Sequence, residues 1–184
     1  MSDPDEAILI AQSHTDSAAF AILYERYIDR IYGFCFRRTR DDALALDITS
    51  ATFEKALRSL RIYQWRGVSF GAWLYKIARN EIAQHYRRHF WLPLLDRFQS
   101  SQDVEQTVQL NEQNASLYAA LHKLSNADRE LITLRYLESL SSIEVAEILD
   151  CSVENVYLRL HRALGRLRHQ LELQESNKVY HVHE

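Results

Sequence analysis

The chain has 184 residues, 22 Lys and Arg against 25 Asp and Glu, and 47% hydrophobic residues, a composition typical of folded rather than disordered or collagen-like proteins. Four glycines and two prolines supply too few turn residues for a hairpin-rich sandwich or barrel, which leaves a mostly helical chain. No apolar run approaches the ~18 residues of a membrane span, so no membrane insertion is expected. The acidic start Met-Ser-Asp-Pro-Asp-Glu is unlike a signal or transit peptide, and Cys35 and Cys151 stand far apart with no CxxC; the expectation is a reduced, cytoplasmic protein.

In chain order, Asp5 to Ser13 is a short apolar helix candidate, and Thr15 or Asp16 can cap the helix that follows. Phe20, Leu23, Tyr24, Tyr27, Ile31, Phe34 and Cys35 then recur with helical spacing as one buried stripe. Asp41 and Asp42 open a third helix, with Leu46, Phe53, Ala56, Leu57 and Leu60 expected toward the core. After a loop from Arg61 to Val68, Ser69 caps a fourth helix carrying Phe70, Trp73, Leu74, Ile77, Ala78, Ile82 and Tyr86 on one face. Pro93 interrupts the pattern, and residues 91–113, acidic and weakly periodic, read as a linker whose apolar start packs back on the first half. Periodicity returns at Leu117, Leu121 and Leu124; Ser125 caps a helix with Leu131, Leu134 and Tyr136. Ser141 or Ser142 caps a short helix to Leu149, and Asp150-Cys151-Ser152 makes a turn. Ser152 caps a longer helix with Val153, Val156, Leu160, Leu164, Leu167 and Leu171 inward. The expected organisation is all-α, with two small helical domains (1–90 and 114–171), the linker between them, and a frayed tail at 172–184.

A net charge of −3 conceals two positive segments. Arg58 to Phe90 holds seven basic residues and one acid, and Ser152 to Leu171 holds four arginines and one acid. Such segments can neutralise phosphates and release counterions, although solvated helix faces carry similar charge.

The short helix, three-residue turn and longer helix at Ser141 to Leu171 have the dimensions of a helix-turn-helix. The outward residues Ser152, Glu154, Asn155, Leu158 and Arg159 lie toward the end of the second helix that enters a major groove. There Arg159 can address guanine, Asn155 adenine and Glu154 a cytosine amino group. Arg162, Arg166 and Arg168, further along, suit phosphates. In the first half, eight aromatics are interleaved with the basic residues of Arg58 to Trp91. Tyr63 and Trp65 lie in the loop beside Arg61 and Arg66, as in a stacking platform for unpaired bases; Lys76, Arg79, Asn80, Gln84 and Arg87 follow on the polar side of the next helix. No GxxxxGK(S/T), GxSxG, HExxH or glycine-rich phosphate loop is present; His85 with His89 is not read as a metal site, and His181 with His183 in the tail reads as a chance HxH. No enzyme activity, metal or cofactor is expected.

Three stretches carry a family resemblance: Asp42-Ala-Leu-Ala-Leu-Asp-Ile-Thr-Ser-Ala-Thr-Phe53, Phe70-Gly-Ala-Trp-Leu-Tyr-Lys-Ile-Ala-Arg-Asn80, and Leu140 to Leu149 followed by Ser152 to Ala163. In this order and spacing, the first half resembles region 2 of bacterial sigma-70-type initiation factors and the second their region 4, in the short extracytoplasmic-function (ECF) class. The resemblance covers about Ala19 to Arg88 and Leu117 to Leu171. It implies a factor that binds core RNA polymerase, reads two promoter elements and stabilises the opened strands, with a separate anti-sigma protein as a further partner. By this resemblance Asp47, Thr49, Ser50, Phe53, Glu54 and Lys55 dock on the polymerase. Arg61, Tyr63, Trp65, Arg66, Lys76, Arg79, Asn80, Gln84 and Arg87 serve the minus-ten element, where a base is held out of the stack. Ser152, Glu154, Asn155, Leu158, Arg159, Arg162 and Arg166 serve the minus-thirty-five element. The sequence departs from the family with Ala45-Leu46-Asp47 where Ala-Glu-Asp is common, Ala51 where an acid is frequent, and Tyr157 where a basic residue is frequent. The alternative is a stand-alone helix-turn-helix regulator that binds duplex DNA without polymerase, which would leave the aromatic and basic first half without a role.

Overall fold

The caps written in the sequence set the helix boundaries. The structure, a computed structural model, describes residues 4–63, 67–91 and 112–180. The chain divides into two units, Met1–Val104 and Glu105–Glu184. The body of the expected linker, with its apolar start after Trp91, lies outside the described residues.

In the first unit, α1 (Pro4–Gln12) leads to α2 (Ser17–Thr39). Asp16 caps α2 by accepting the Ala18 N–H at 2.8 Å. Arg40, left-handed at φ 57°, closes α2 by donating its N–H to the Phe36 carbonyl. Asp41 then caps α3 (Asp42–Ser59) by accepting the Leu44 N–H at 3.0 Å. A single 3₁₀ turn, Leu60–Ile62, and a loop precede α4 (Phe70–Trp91), where the Ser69 hydroxyl accepts the Ala72 N–H at 3.2 Å. Leu23, Ile31 and Phe34 of α2, Ala45, Phe53 and Ala56 of α3, and Phe70, Leu74, Tyr75 and Ala78 of α4 form one core. Each fully buried large side chain there contributes about 1.5–3 kcal/mol by removing apolar surface from water.

A buried acid ties α1 to this core. Glu6, 2% exposed, accepts the Tyr27 hydroxyl of α2 on Oε1 and the Phe70 N–H of α4 on Oε2 at 3.0 Å. The carboxylate thus caps an orphan donor at the start of α4 from a helix 64 residues earlier in the chain. Burial first, and the Glu6 hydrogen bond second, push the Tyr27 phenol well above the ordinary tyrosine range. The Tyr27 ring lies so close to Gly71 that a Cβ there would sit 2.6 Å from Cε1, which explains a glycine in the first turn of α4.

Several residues sit differently from the sequence expectation. Leu46 and Leu57 of α3 are about half exposed, at 52% and 51%, and Tyr86 of α4 is exposed as well, while Tyr75 is fully buried edge-on to Phe34 at 5.2 Å. Ala45, Ile48, Thr52, Phe53 and Ala56 already fill the inward arc of α3, which leaves Leu46 and Leu57 at its margin.

In the second unit, α5 (Glu112–His122) is followed by α6 (Asn126–Ile132), capped by Ser125. Arg129 secures the connection by donating to the carbonyls of Leu121, His122 and Leu124. A π turn, Thr133–Leu137, continues α6 and presents Tyr136 to solvent rather than to the core. Then come α7 (Ser142–Leu149) and α8 (Val153–Tyr180). α5, α6 and α7 all pack on α8. α8 continues to Tyr180, past the frayed tail expected from Glu172; beyond Leu171, Gln174 pairs with Ser116 of α5.

Candidate nucleic-acid interface

The helix-turn-helix is built by local hydrogen bonding. Ser141 and Glu144 form a reciprocal capping box: the Ser141 hydroxyl accepts the Glu144 N–H at 3.3 Å, and the Glu144 carboxylate accepts the Ser141 N–H at 2.8 Å. Asp150, left-handed at φ 50°, ends α7, and the N–H of Cys151 reaches back to the Ala146 carbonyl at 3.1 Å. Ser152 then opens α8 by accepting the Asn155 N–H at 3.2 Å. Buried Val145, Ala146 and Ile148 of α7 and Val156, Leu160 and Ala163 of α8 hold the crossing.

On the outer side of α8, Ser152, Glu154, Asn155, Leu158 and Arg162 are exposed, and Arg159 is half-buried. Hydrogen bonds from its own backbone N–H and from the Ser152 hydroxyl lower the Glu154 carboxyl pKa, so Glu154 stays ionised at the helix N-terminus. Arg166 is engaged within the protein. Its Nε and one Nη donate to the two Asp128 oxygens at 2.8 Å each, a bidentate clamp from α8 to α6. That hydrogen bonding holds the Asp128 carboxyl below the ordinary aspartate range. Arg166, expected on phosphate, therefore has its fork occupied by a neighbouring helix.

In the first unit, Asp47, Ser50, Glu54 and Lys55 are exposed on α3. Thr49 and Phe53 are not available to a partner. Thr49 is buried and donates its hydroxyl to the Ala45 carbonyl at 2.7 Å, and Phe53 is buried edge-on to Tyr24 at 4.7 Å. Glu54 pairs with Arg58 one turn on, and Lys55 bridges to Glu81 and Gln84 of α4. Exposed Leu46, Ser50 and Leu57 recur at i, i+4 and i+11, an apolar margin beside the charged face. The two leucines were missed as surface residues because apolar type alone assigned them to the core.

Arg61 is exposed in the 3₁₀ turn. Tyr63 is half-buried, its ring 4.3 Å from the Trp73 ring centre and edge-on to Phe70 at 5.8 Å. One face of the expected stacking tyrosine is thus occupied by α4. Trp65 and Arg66 lie outside the described residues. On α4, Lys76, Arg79 and Gln84 are half-buried and Asn80 and Arg87 exposed; Lys76, Asn80 and Arg87 fall on one strip at i, i+4 and i+11. No helix among the described residues is long and apolar enough to cross a membrane.

Two helical units, one closed by a helix-turn-helix with a basic outer face, define the class of duplex-reading transcription proteins. The comparisons narrow this class. The family model for Sigma-70 region 2 matches residues 23–92, and that for Sigma-70 region 4 matches residues 114–167. The chain is 34% identical over 161 residues to the ECF RNA polymerase sigma factor BldN of Streptomyces coelicolor, covering 83% of this chain and 61% of that one. It is 32% identical over 153 residues to the RNA polymerase sigma factor YlaC of Bacillus subtilis, covering 79% of this chain and 88% of that one. A solved structure of CnrH in complex with the cytosolic domain of CnrY matches with a TM-score of 0.69 at 24% identity, over 91% of this chain and 97% of that one, a likeness of fold. The chain belongs to the sigma-70 family, among its ECF sigma factors.

Proposed function

We propose that the chain is a transcription initiation factor that binds core RNA polymerase, directs it to specific promoters, and stabilises strand opening without covalent chemistry of its own. Two family segments in order, region 2 before a region 4 whose α8 keeps an exposed basic face, carry this reading. A stand-alone regulator would use only the second unit and would leave the region 2 match without a purpose.

In this reading residues 1–90 grip polymerase and hold melted DNA, 114–171 read upstream duplex, and 91–113 connect them. The polymerase-facing surface of α3 comprises Asp47, Ser50, Glu54 and Lys55 with the flanking Leu46 and Leu57. Arg61 with Lys76, Asn80 and Arg87 of α4 tracks the minus-ten strand, and Tyr63 positions Trp73 rather than stacking freely. Ser152, Glu154, Asn155, Leu158 and Arg159 face base edges, and Arg162 faces phosphate. Two weak modules joined by a linker gain from effective concentration only while polymerase holds both, so the free chain binds promoter duplex weakly. A cytoplasmic location and a separate anti-sigma chain that covers the polymerase-facing surface belong to the same reading.

The test is run-off transcription with purified core polymerase, with and without the chain, over a pool of promoter sequences. Transcripts that require both components support the proposal. Absence of chain-dependent transcripts, together with tight duplex binding by the chain alone, establishes the stand-alone alternative instead.

A further inference from the structure

Gly165 lies in the interior of α8, where a glycine is less favourable than alanine by up to about 1 kcal/mol. Nothing in the fold requires it. A Cβ built there meets no atom within 4 Å, the position is exposed, and its φ is not left-handed. The surface neighbours of a helical residue are those three and four positions away. For Gly165 these are His161, Arg162, Arg168 and His169. All four are exposed, and among the described residues none of their side chains makes a hydrogen bond or ion pair. The helix backbone is therefore bare at the centre of a ring of four basic side chains, on the same outward strip as Glu154 and Leu158 at helical spacing. Arg166, the adjacent arginine, is already occupied by Asp128.

We infer that Gly165 and its ring form a seat for one backbone phosphate of duplex DNA, the missing side chain allowing the strand to approach the helix closely while Arg162 and Arg168 close on it from either side. The inference deepens the proposed function and rests on it. Sequence reasoning placed Arg162, Arg166 and Arg168 on phosphate; the inference keeps Arg162 and Arg168, removes Arg166 and adds the bare backbone at Gly165. A duplex is the occupant because no acid lies within one helical turn of Gly165, the acids of its strip being Glu172 two turns on and Glu154 three turns back, and because Leu158 and Glu154 on the same strip face a groove when the strand crosses at Gly165.

The experiment is Gly165→Ala in the full chain, assayed with core polymerase on a promoter selected by the wild type. The variant should melt a few degrees higher, as a helix-favouring change at an open site. It should initiate roughly tenfold less well at subsaturating polymerase holoenzyme, the size of one lost charge-assisted contact. A scan of neutral methylphosphonate linkages along the upstream duplex should find one linkage that weakens the wild type and leaves Gly165→Ala unchanged. Raised melting temperature with undiminished initiation overturns the inference, as does an equal response of both proteins at every linkage. Failure of the wild type itself to initiate overturns the proposed function first, and is distinguishable because it needs no variant.

Discussion

Removing the Glu6 carboxylate should uncouple α1 from the first unit. In Glu6→Ala the Phe70 N–H and the Tyr27 hydroxyl both lose their partner in the interior. Each buried unsatisfied group costs about 1–3 kcal/mol, so the loss is roughly 4 kcal/mol, a large part of the ~5–15 kcal/mol that holds a domain together. Glu6→Gln keeps the shape: its amide oxygen can accept the Phe70 N–H and its NH2 can donate to a reoriented Tyr27 hydroxyl. Only charge assistance is lost, about 1 kcal/mol. Urea denaturation followed by tryptophan fluorescence measures this directly, because Trp65, Trp73 and Trp91 all belong to the first unit. A cost below about 1 kcal/mol for Glu6→Ala, or equal costs for both variants, would refute the capping argument.

Gly71→Ala should destabilise the first unit by about 1–3 kcal/mol, since the new Cβ meets a Tyr27 ring that Glu6 holds in place; thermal unfolding checks this. The Tyr27 pKa is raised in the folded state, so its contribution is complete below the ordinary tyrosine range and is lost as pH rises through that range toward the folded value. Alkaline denaturation of Tyr27→Phe should accordingly be flatter than that of the wild type. Asp128 has the opposite sign: its pKa is lowered, so its contribution is present above the ordinary aspartate value and is lost as pH falls through the folded one. Circular dichroism of Asp128→Asn should show the second unit weakened at neutral pH and less sensitive to acid. On the polymerase side, Leu46→Asp with Leu57→Asp should weaken association with core polymerase at least tenfold with little change in melting temperature, because both side chains are already half exposed; a binding titration decides it.

The helices and their starts were legible because their signals are local. Asp16, Asp41, Ser69, Ser125, Ser141 and Ser152 each cap the helix they precede, a relation contained within two or three residues. The helix-turn-helix was legible for the same reason, and its outer residues, half-buried Arg159 apart, are exposed where periodicity put them. What escaped the sequence depends on distant partners. Glu6 reads as one more acid in an acidic start until Tyr27 and Phe70 come to it. Arg166 reads as one more arginine in a basic helix until α6 presents Asp128. Tyr86, read into the apolar face of α4, is exposed, and Tyr75 fills the core instead, because the inward arc of α4 is fixed by α2 and α3 packing on it, not by the residue types alone. The continuation of α8 to Tyr180 carries no apolar stripe and is supported instead by a polar contact with α5.

The Glu6 tether also orders events during synthesis. α1 leaves the ribosome before α2, α3 and α4, yet both hydrogen bonds of the Glu6 carboxylate end on residues made later, the second of them 64 positions on. Nine residues of helix with one apolar face are marginal alone in water, so α1 stays unsettled while α2 and α3 emerge. The nascent first unit locks only when the start of α4 has been translated, and a chain arrested before Phe70 exposes the same acid to solvent.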